Sequence, residues 1–149
     1  MMVRVLFVCT GNTCRSPMAE AIFKNRGKGN MQVKSAGVYA IEGSEASYQV
    51  KEVLTEKGIK HNHLSSMLNA DLVDWATHVF TMTVGHKNAI VSQFPHAIEK
   101  TFTLKEFVND DKYGDIVDPF GGSVELYRKT YQELDGLIQS LIKKLQEEY

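Results

Sequence analysis

Cys9 and Arg15 close the ends of the run Cys9-Thr10-Gly11-Asn12-Thr13-Cys14-Arg15, which Ser16 follows. Their types and spacing suit the capture of a phosphate-like anion above a sulfur nucleophile. A loop of this length between a strand end and a helix N-terminus turns backbone N–H groups of residues such as Thr10, Thr13 and Cys14 inward, and the helix dipole adds partial positive charge. Gly11 and Asn12 both tolerate the left-handed backbone that a tight loop demands, and the Asn12 side chain can fix the loop by local hydrogen bonds. Arg15 offers a planar fork matched to two phosphate oxygens. Groups that favour a dianion also favour a thiolate, so Cys9 at the floor of this cradle is an activated nucleophile. Ser16 can donate a hydrogen bond to that sulfur. Without Arg15 and the loop glycine, Cys9 would read as a buried cysteine closing a strand.

Phosphoryl transfer to sulfur also needs a proton donor for the leaving group, and a carboxylic acid on a facing loop can supply it. Asp118 is the candidate, with Pro119 restricting the backbone ahead of Phe120, Gly121 and Gly122. Spacing alone allows Asp118 to be a turn residue, and Asp115 competes for the role. Cys14 shares the loop with Cys9, so a disulfide is open to the pair if their Cα atoms lie within about 7 Å. That bond would shield Cys9 from irreversible oxidation. Cys14 reads equally well as a small buried hydrophobe.

The elements that must hold these residues follow from the apolar pattern. Val3 to Cys9 is valine-rich and apolar, as in a strand buried on both faces of a parallel sheet. Ser16 and Pro17 read as the N-cap and first position of a helix that runs to about Asn25 and stops at Gly27 and Gly29. Gln32 to Ala36 predicts a second strand, and Glu45 to Lys57 a helix closed by Gly58. Asn69 or Asp71 caps a short helix through Trp75, His78 to Thr83 suits a strand, Gly85 to Gln93 a helix, and Lys100 to Leu104 the last strand. Ser123 caps a long final helix whose stripe of Leu134, Leu137, Ile138, Leu141, Ile142 and Leu145 needs a sheet face to cover it. Strands alternating with helices predict an α/β fold, a three-layer sandwich with a central, mainly parallel sheet of about four strands and helices on both faces. In such folds ligands bind at the carboxyl ends of the strands, where the Cys9 loop lies.

With 149 residues, 43% hydrophobic and 23% charged, the chain is expected to form a single domain with a real core. Its 17 Lys and Arg against 18 Asp and Glu leave a net charge of -1, so no global basic field exists to hold nucleic acid or an anionic membrane. The longest apolar run, Val5 to Cys9, falls far short of the roughly 20 residues that span a bilayer. Two cysteines in one short loop are not a secreted disulfide framework, and a reducing cytoplasm is the expected compartment.

Cys9 to Arg15, Ser16 and Pro17 near the N-terminus, with a late Asp118-Pro119-Phe120, resemble the low-molecular-weight protein tyrosine phosphatase family over nearly the whole chain. The resemblance implies a phosphocysteine intermediate on Cys9, phosphate held by the loop amides and Arg15, and Asp118 acting first as acid and then as base. It implies no metal or organic cofactor, phosphorylated proteins as partners, and inorganic phosphate as product. Thr13 replaces the isoleucine typical of tyrosine-specific members, and Gly121-Gly122 follow Phe120 where those members commonly carry a second aromatic. Both departures resemble the bacterial protein arginine phosphatase branch, so phosphoarginine is the favoured substrate and phosphotyrosine the alternative. Such a branch is expected to oppose a protein arginine kinase in stress responses. A hydroxyl at Thr13 makes a smaller, more polar site that suits a planar guanidinium; its plainer reading is an ordinary loop hydroxyl satisfying a backbone group.

Thiol-dependent arsenate reductases resemble the first loop, but they relay a disulfide to later cysteines and none follows Cys14. An inactive phosphoprotein-binding module would have no need of Cys9, Arg15 and Asp118 together. His61 and His63, at alternate positions, are expected to point apart on the surface with no third ligand to complete a metal site. His78, His86 and His96 receive no role. With no large apolar stripe unexplained, a monomer is expected.

Overall fold

Val3, Val5, Leu6, Phe7 and Val8 give the chain a strand that can be buried on both faces, which makes it central. In the computed structural model, which describes residues 2–27 and 29–148, this strand is β1 (Val3–Cys9). It is followed by α1 (Arg15–Arg26), β2 (Met31–Gly37), α2 (Tyr48–Glu56), α3 (Ala70–Trp75), β3 (His78–Thr81) and α4 (Val84–Gln93). A 3₁₀ turn (Pro95–Lys100), β4 (Thr101–Thr103), α5 (Leu104–Asn109) and the long α6 (Val124–Glu148) complete the order. The strands form one sheet in the order β2-β1-β3-β4, every neighbouring pair parallel.

The alternation along β1 divides the core in two. Val5 and Phe7 face Met18 and Ile22 of α1, Val50 and Val53 of α2, and Leu134, Ile138 and Leu141 of α6. Leu6 and Val8 face Val73 of α3 and Ile90 of α4 on the other side. Helices therefore cover both faces, as the periodicity predicts, and the apolar stripe of α6 is buried in the same cluster as Val5 and Phe7, packed chiefly on α1, α2 and α5 rather than directly on the sheet that was expected to cover it. Among the described residues, no helix is long and apolar enough to cross a membrane.

The differences from expectation lie at element ends. α1 begins at Arg15 with Cys14 in the cap position, and Ser16 is no cap because its hydroxyl is turned toward Cys9. α2 begins at Tyr48 under a Ser47 cap rather than at Glu45. Asn69, not Asp71, caps α3, its side chain accepting from Leu72 N. β3 stops at Thr81, and Leu104 opens α5 instead of closing a strand. A Thr103/Glu106 capping box starts α5, each side chain bonded to the other's backbone N–H, and it was legible as Thr-Leu-Lys-Glu.

β1 and β2 end together, with Cys9 paired to Gly37. Gly37 must lack a side chain, because a Cβ there would collide with the Thr10 carbonyl oxygen and the Asn12 nitrogen. This close approach seats the loop after β1 on the end of β2.

Candidate active site

The loop between β1 and α1 is held from outside by its carbonyls. Cys9 O accepts from Val38 N (3.0 Å), Thr10 O from Tyr39 N (2.9 Å), Thr13 O from Ser47 N (3.0 Å) and Cys14 O from Met18 N (3.3 Å). Asn12 O faces His63 Nε2 at 2.6 Å. In a planar trans peptide the N–H points opposite to the C=O. Tethering these carbonyls outward therefore turns the amides of Thr10, Gly11, Thr13, Cys14 and Arg15 to the inner side, where Cys9 lies. The result is a ring of inward-facing amides, the geometry of an anion nest.

Asn12 is the keystone of the loop. It is fully buried with φ at 57°, the left-handed conformation that asparagine accepts more readily than most residues. Its Nδ2 donates to Ser16 Oγ (2.8 Å) and Ser35 Oγ (2.9 Å), and its Oδ1 accepts from Ser66 N (2.9 Å). Gly11, expected to share that conformation, does not adopt it, and a Cβ there would meet only Thr13 Oγ1 at an ordinary 3.7 Å. Because Ser16 Oγ accepts from Asn12, its own proton is free to point at Cys9 Sγ, 2.9 Å away. Ser35 in turn donates to Glu20 Oε1 at 2.6 Å. Sequence reasoning missed Glu20, Ser35 and Ser66, which come from separate segments and share no spacing.

Cys9, Thr10, Gly11, Thr13, Cys14, Arg15, Asp118 and Phe120 line one pocket of about 210 Å³. Asn12 and Ser16 stand behind it. Arg15 is buried, with Nη1 donating to Ile116 O (2.8 Å) and Nη2 3.5 Å from Asp118 Oδ2. Its Nε is buried without a hydrogen-bond partner among the described residues, which leaves a donor available to an oxyanion. Asp118 is half exposed, and its Oδ1 accepts from Phe120 N (3.0 Å), so the turn itself aims the carboxyl group. The competing Asp115 is turned away, its Oδ1 accepting from Val84 N at the start of α4. Gly121 has φ at +76°, and a Cβ on Gly122 would collide with Leu126 and the Pro119 carbonyl. Both glycines are thus demanded by the backbone of this turn. Phe120 stands at the rim, 77% exposed.

Thr13 makes no local backbone bond among the described residues; its hydroxyl has only a long contact, 3.8 Å, to Cys14 Sγ. Cys9 and Cys14 are both buried free thiols. Cys14 Sγ faces Tyr127 Oη at 3.2 Å, and burial, then the Cys14 neighbour, pushes the Tyr127 phenol above its ordinary value.

His86 does take a position here, contrary to the sequence reading. Its Nε2 lies 2.9 Å from Thr10 Oγ1. Burial, with a smaller contribution from the Arg15 charge, lowers it to about 4. The unfolded chain therefore binds a proton on His86 before the folded chain does, and stability falls as pH drops from about 6.5 toward about 4. The expected loss is on the order of 2–3 kcal/mol from this group. Burial also lowers His61 and His78, in the same direction. Urea unfolding at pH 7 and pH 5 checks this, with His86→Gln expected to flatten the difference.

His61 and His63 do not point apart. Their rings stack at 5.7 Å between centroids, because the segment between α2 and α3 folds across the loop and His63 seeks the Asn12 carbonyl. The His61 side chain is only 3% exposed, although the residue as a whole is half-buried.

The family model described as low molecular weight phosphotyrosine protein phosphatase matches residues 4–149. The chain belongs to that family. A protein-arginine-phosphatase of Geobacillus stearothermophilus is 58% identical over 148 residues, 99% of each chain. The structure of that organism's YwlE arginine phosphatase superimposes with a TM-score of 0.96, covering 98% of this chain and 94% of its own. The protein-arginine-phosphatase of Bacillus subtilis is 48% identical over 97% of both chains. A YwlE arginine phosphatase with serine in place of its active-site cysteine, that serine phosphorylated, is 47% identical with a TM-score of 0.93, covering 97% of this chain and 96% of its own.

Proposed function

We propose that this phosphatase hydrolyses phosphoarginine in proteins through a phosphocysteine on Cys9. The observation that carries the reading is the single pocket in which Cys9, Thr13, Arg15 and Asp118 meet. The Cys9 thiolate attacks phosphorus, the bond to the leaving nitrogen breaks, and the Asp118 carboxyl group gives that nitrogen its proton. The loop amides and Arg15 hold the phosphoryl oxygens as charge develops on them. Asp118, now a carboxylate, takes a proton from water as the water oxygen attacks phosphorus. The P–S bond then breaks, the Ser16 hydroxyl steadies the departing thiolate, and inorganic phosphate leaves. All of these groups come from one chain, so a monomer suffices, and no metal or cofactor enters any step.

The arginine preference rests on the names of the relatives at 58% and 48% identity and on Thr13, whose hydroxyl has no backbone partner and lines the pocket. A polar wall of this kind suits a guanidinium, and Asp118 can pair with it. Phe120 at the rim is the one aromatic lining group, a wall for the substrate side chain. Cys14 lines the same pocket and is the partner through which Cys9 would be oxidised reversibly.

The test is parallel phosphate release from phosphoarginine and phosphotyrosine peptides by the parent chain and Thr13→Ile. The parent is expected to prefer phosphoarginine, and Thr13→Ile to move the ratio of kcat/KM values roughly tenfold or more toward phosphotyrosine, the scale of one methyl-sized change in a pocket. A parent that prefers phosphotyrosine would overturn the arginine reading.

A further inference from the structure

Glu20, His61 and His63 offer one donor atom each, all within 4.8 Å of one another, on the outer side of the phosphate-binding loop. The reaction uses none of them. His61 Nε2 is buried without a hydrogen bond among the described residues, rare for a buried polar atom, and lies 3.5 Å from Glu20 Oε2. The other two groups are already oriented from behind. Ser35 donates to Glu20 Oε1 at 2.6 Å, and His63 uses Nε2 on the Asn12 carbonyl at 2.6 Å. That is the way ligating carboxylates and imidazoles are held by their outer partners, the second ring nitrogen being left for the metal.

We propose that Glu20, His61 and His63 bind a borderline divalent transition-metal ion, zinc in the first instance, with water completing the coordination. Two imidazoles and one carboxylate are a donor set such ions accept. Bond lengths of about 2.0–2.2 Å place neighbouring donors roughly 3.3–3.5 Å apart, a separation that Glu20 and His61 already have, while the His63 donor, within 4.8 Å of both, must close in on them. Lys24 Nζ, 3.2 Å from Glu20 Oε2, is half exposed and can withdraw into solvent. A hollow of about 400 Å³ lined by His61 and His63 gives the ion a route and the water a place. An ion on His63 would fix the Asn12 carbonyl, and with it the loop, from the side opposite the substrate.

The experiment reads binding rather than activity, so its outcome is independent of the phosphatase reading. Zn²⁺ and Co²⁺ are titrated into the untagged full chain carrying Cys9→Ser, which removes the competing loop thiolate, by calorimetry and by visible absorption of Co²⁺. One ion per chain is expected, with the visible bands of four-coordinate cobalt. His61→Leu and Glu20→Gln, added to that background, are each expected to weaken binding at least tenfold. His61→Leu places an apolar group where the ring nitrogen has no hydrogen bond to lose, so the metal-free thermal midpoint should hold while Zn²⁺ no longer raises it. Glu20→Gln keeps the shape and supplies the independent variant. No binding tighter than about millimolar, or affinity unchanged in either variant, would overturn the proposal.

Discussion

Cys9→Ser is expected to lose kcat by roughly 10⁴-fold or more while leaving the fold and substrate binding intact. The replacement is nearly isosteric at a position only 2% exposed, and the Ser16 hydroxyl 2.9 Å away can bond an oxygen as well as a sulfur, so the thermal midpoint should barely move. The chemistry changes because an alkoxide is far less available than a thiolate at neutral pH. Any phosphoryl group that does reach the serine should persist, since oxygen is the poorer leaving group. Intact-mass measurement after long incubation with a phosphoarginine peptide should find one added phosphoryl group, the state in which the serine variant of the YwlE relative was solved. Turnover surviving near the parent rate would exclude a covalent route through Cys9.

Asp118→Asn carries the second large effect, and its size should depend on the leaving group. A general acid contributes about 10²–10⁴-fold, and its contribution grows with the basicity of the group it protonates. A guanidine nitrogen is far more basic than a phenol oxygen and needs the proton more. The kcat loss should therefore be greatest on phosphoarginine, smaller on phosphotyrosine, and least on an aryl phosphate with an acidic phenol. Asparagine keeps the acceptor that Phe120 N uses at 3.0 Å, so the turn is preserved and the proton alone is lost. Equal losses on all three substrates would assign Asp118 to binding instead of proton transfer.

The first half of the site was legible because its parts are contiguous. An apolar run ending at Cys9, a short polar loop and a helix start put strand, nest and dipole into one window of sequence. Asp118 was harder, since only the following Pro119 separates it locally from Asp115; the packing shows that Asp115 accepts from Val84 N at the start of α4 while Asp118 reaches Arg15. His86 and Ser35 touch the loop across 76 and 23 residues, separations at which no periodicity speaks. Alternation misled at His61 and His63, because irregular backbone between α2 and α3 bends to reach the Asn12 carbonyl. In the fold, long periodic segments such as α6 were read well, whereas α5 was missed because six residues hold too little periodicity and its capping box begins inside the expected strand, at Thr103.

Rapid quenching of the parent chain, in excess over a phosphoarginine peptide, into denaturant with subsequent peptide mapping tests the central step most directly. A phosphoryl group on the Cys9 sulfur, appearing within the first turnover and decaying as inorganic phosphate forms, is the expected result. Full phosphate release with no phosphoryl group on Cys9, or with it on another residue, would contradict the mechanism.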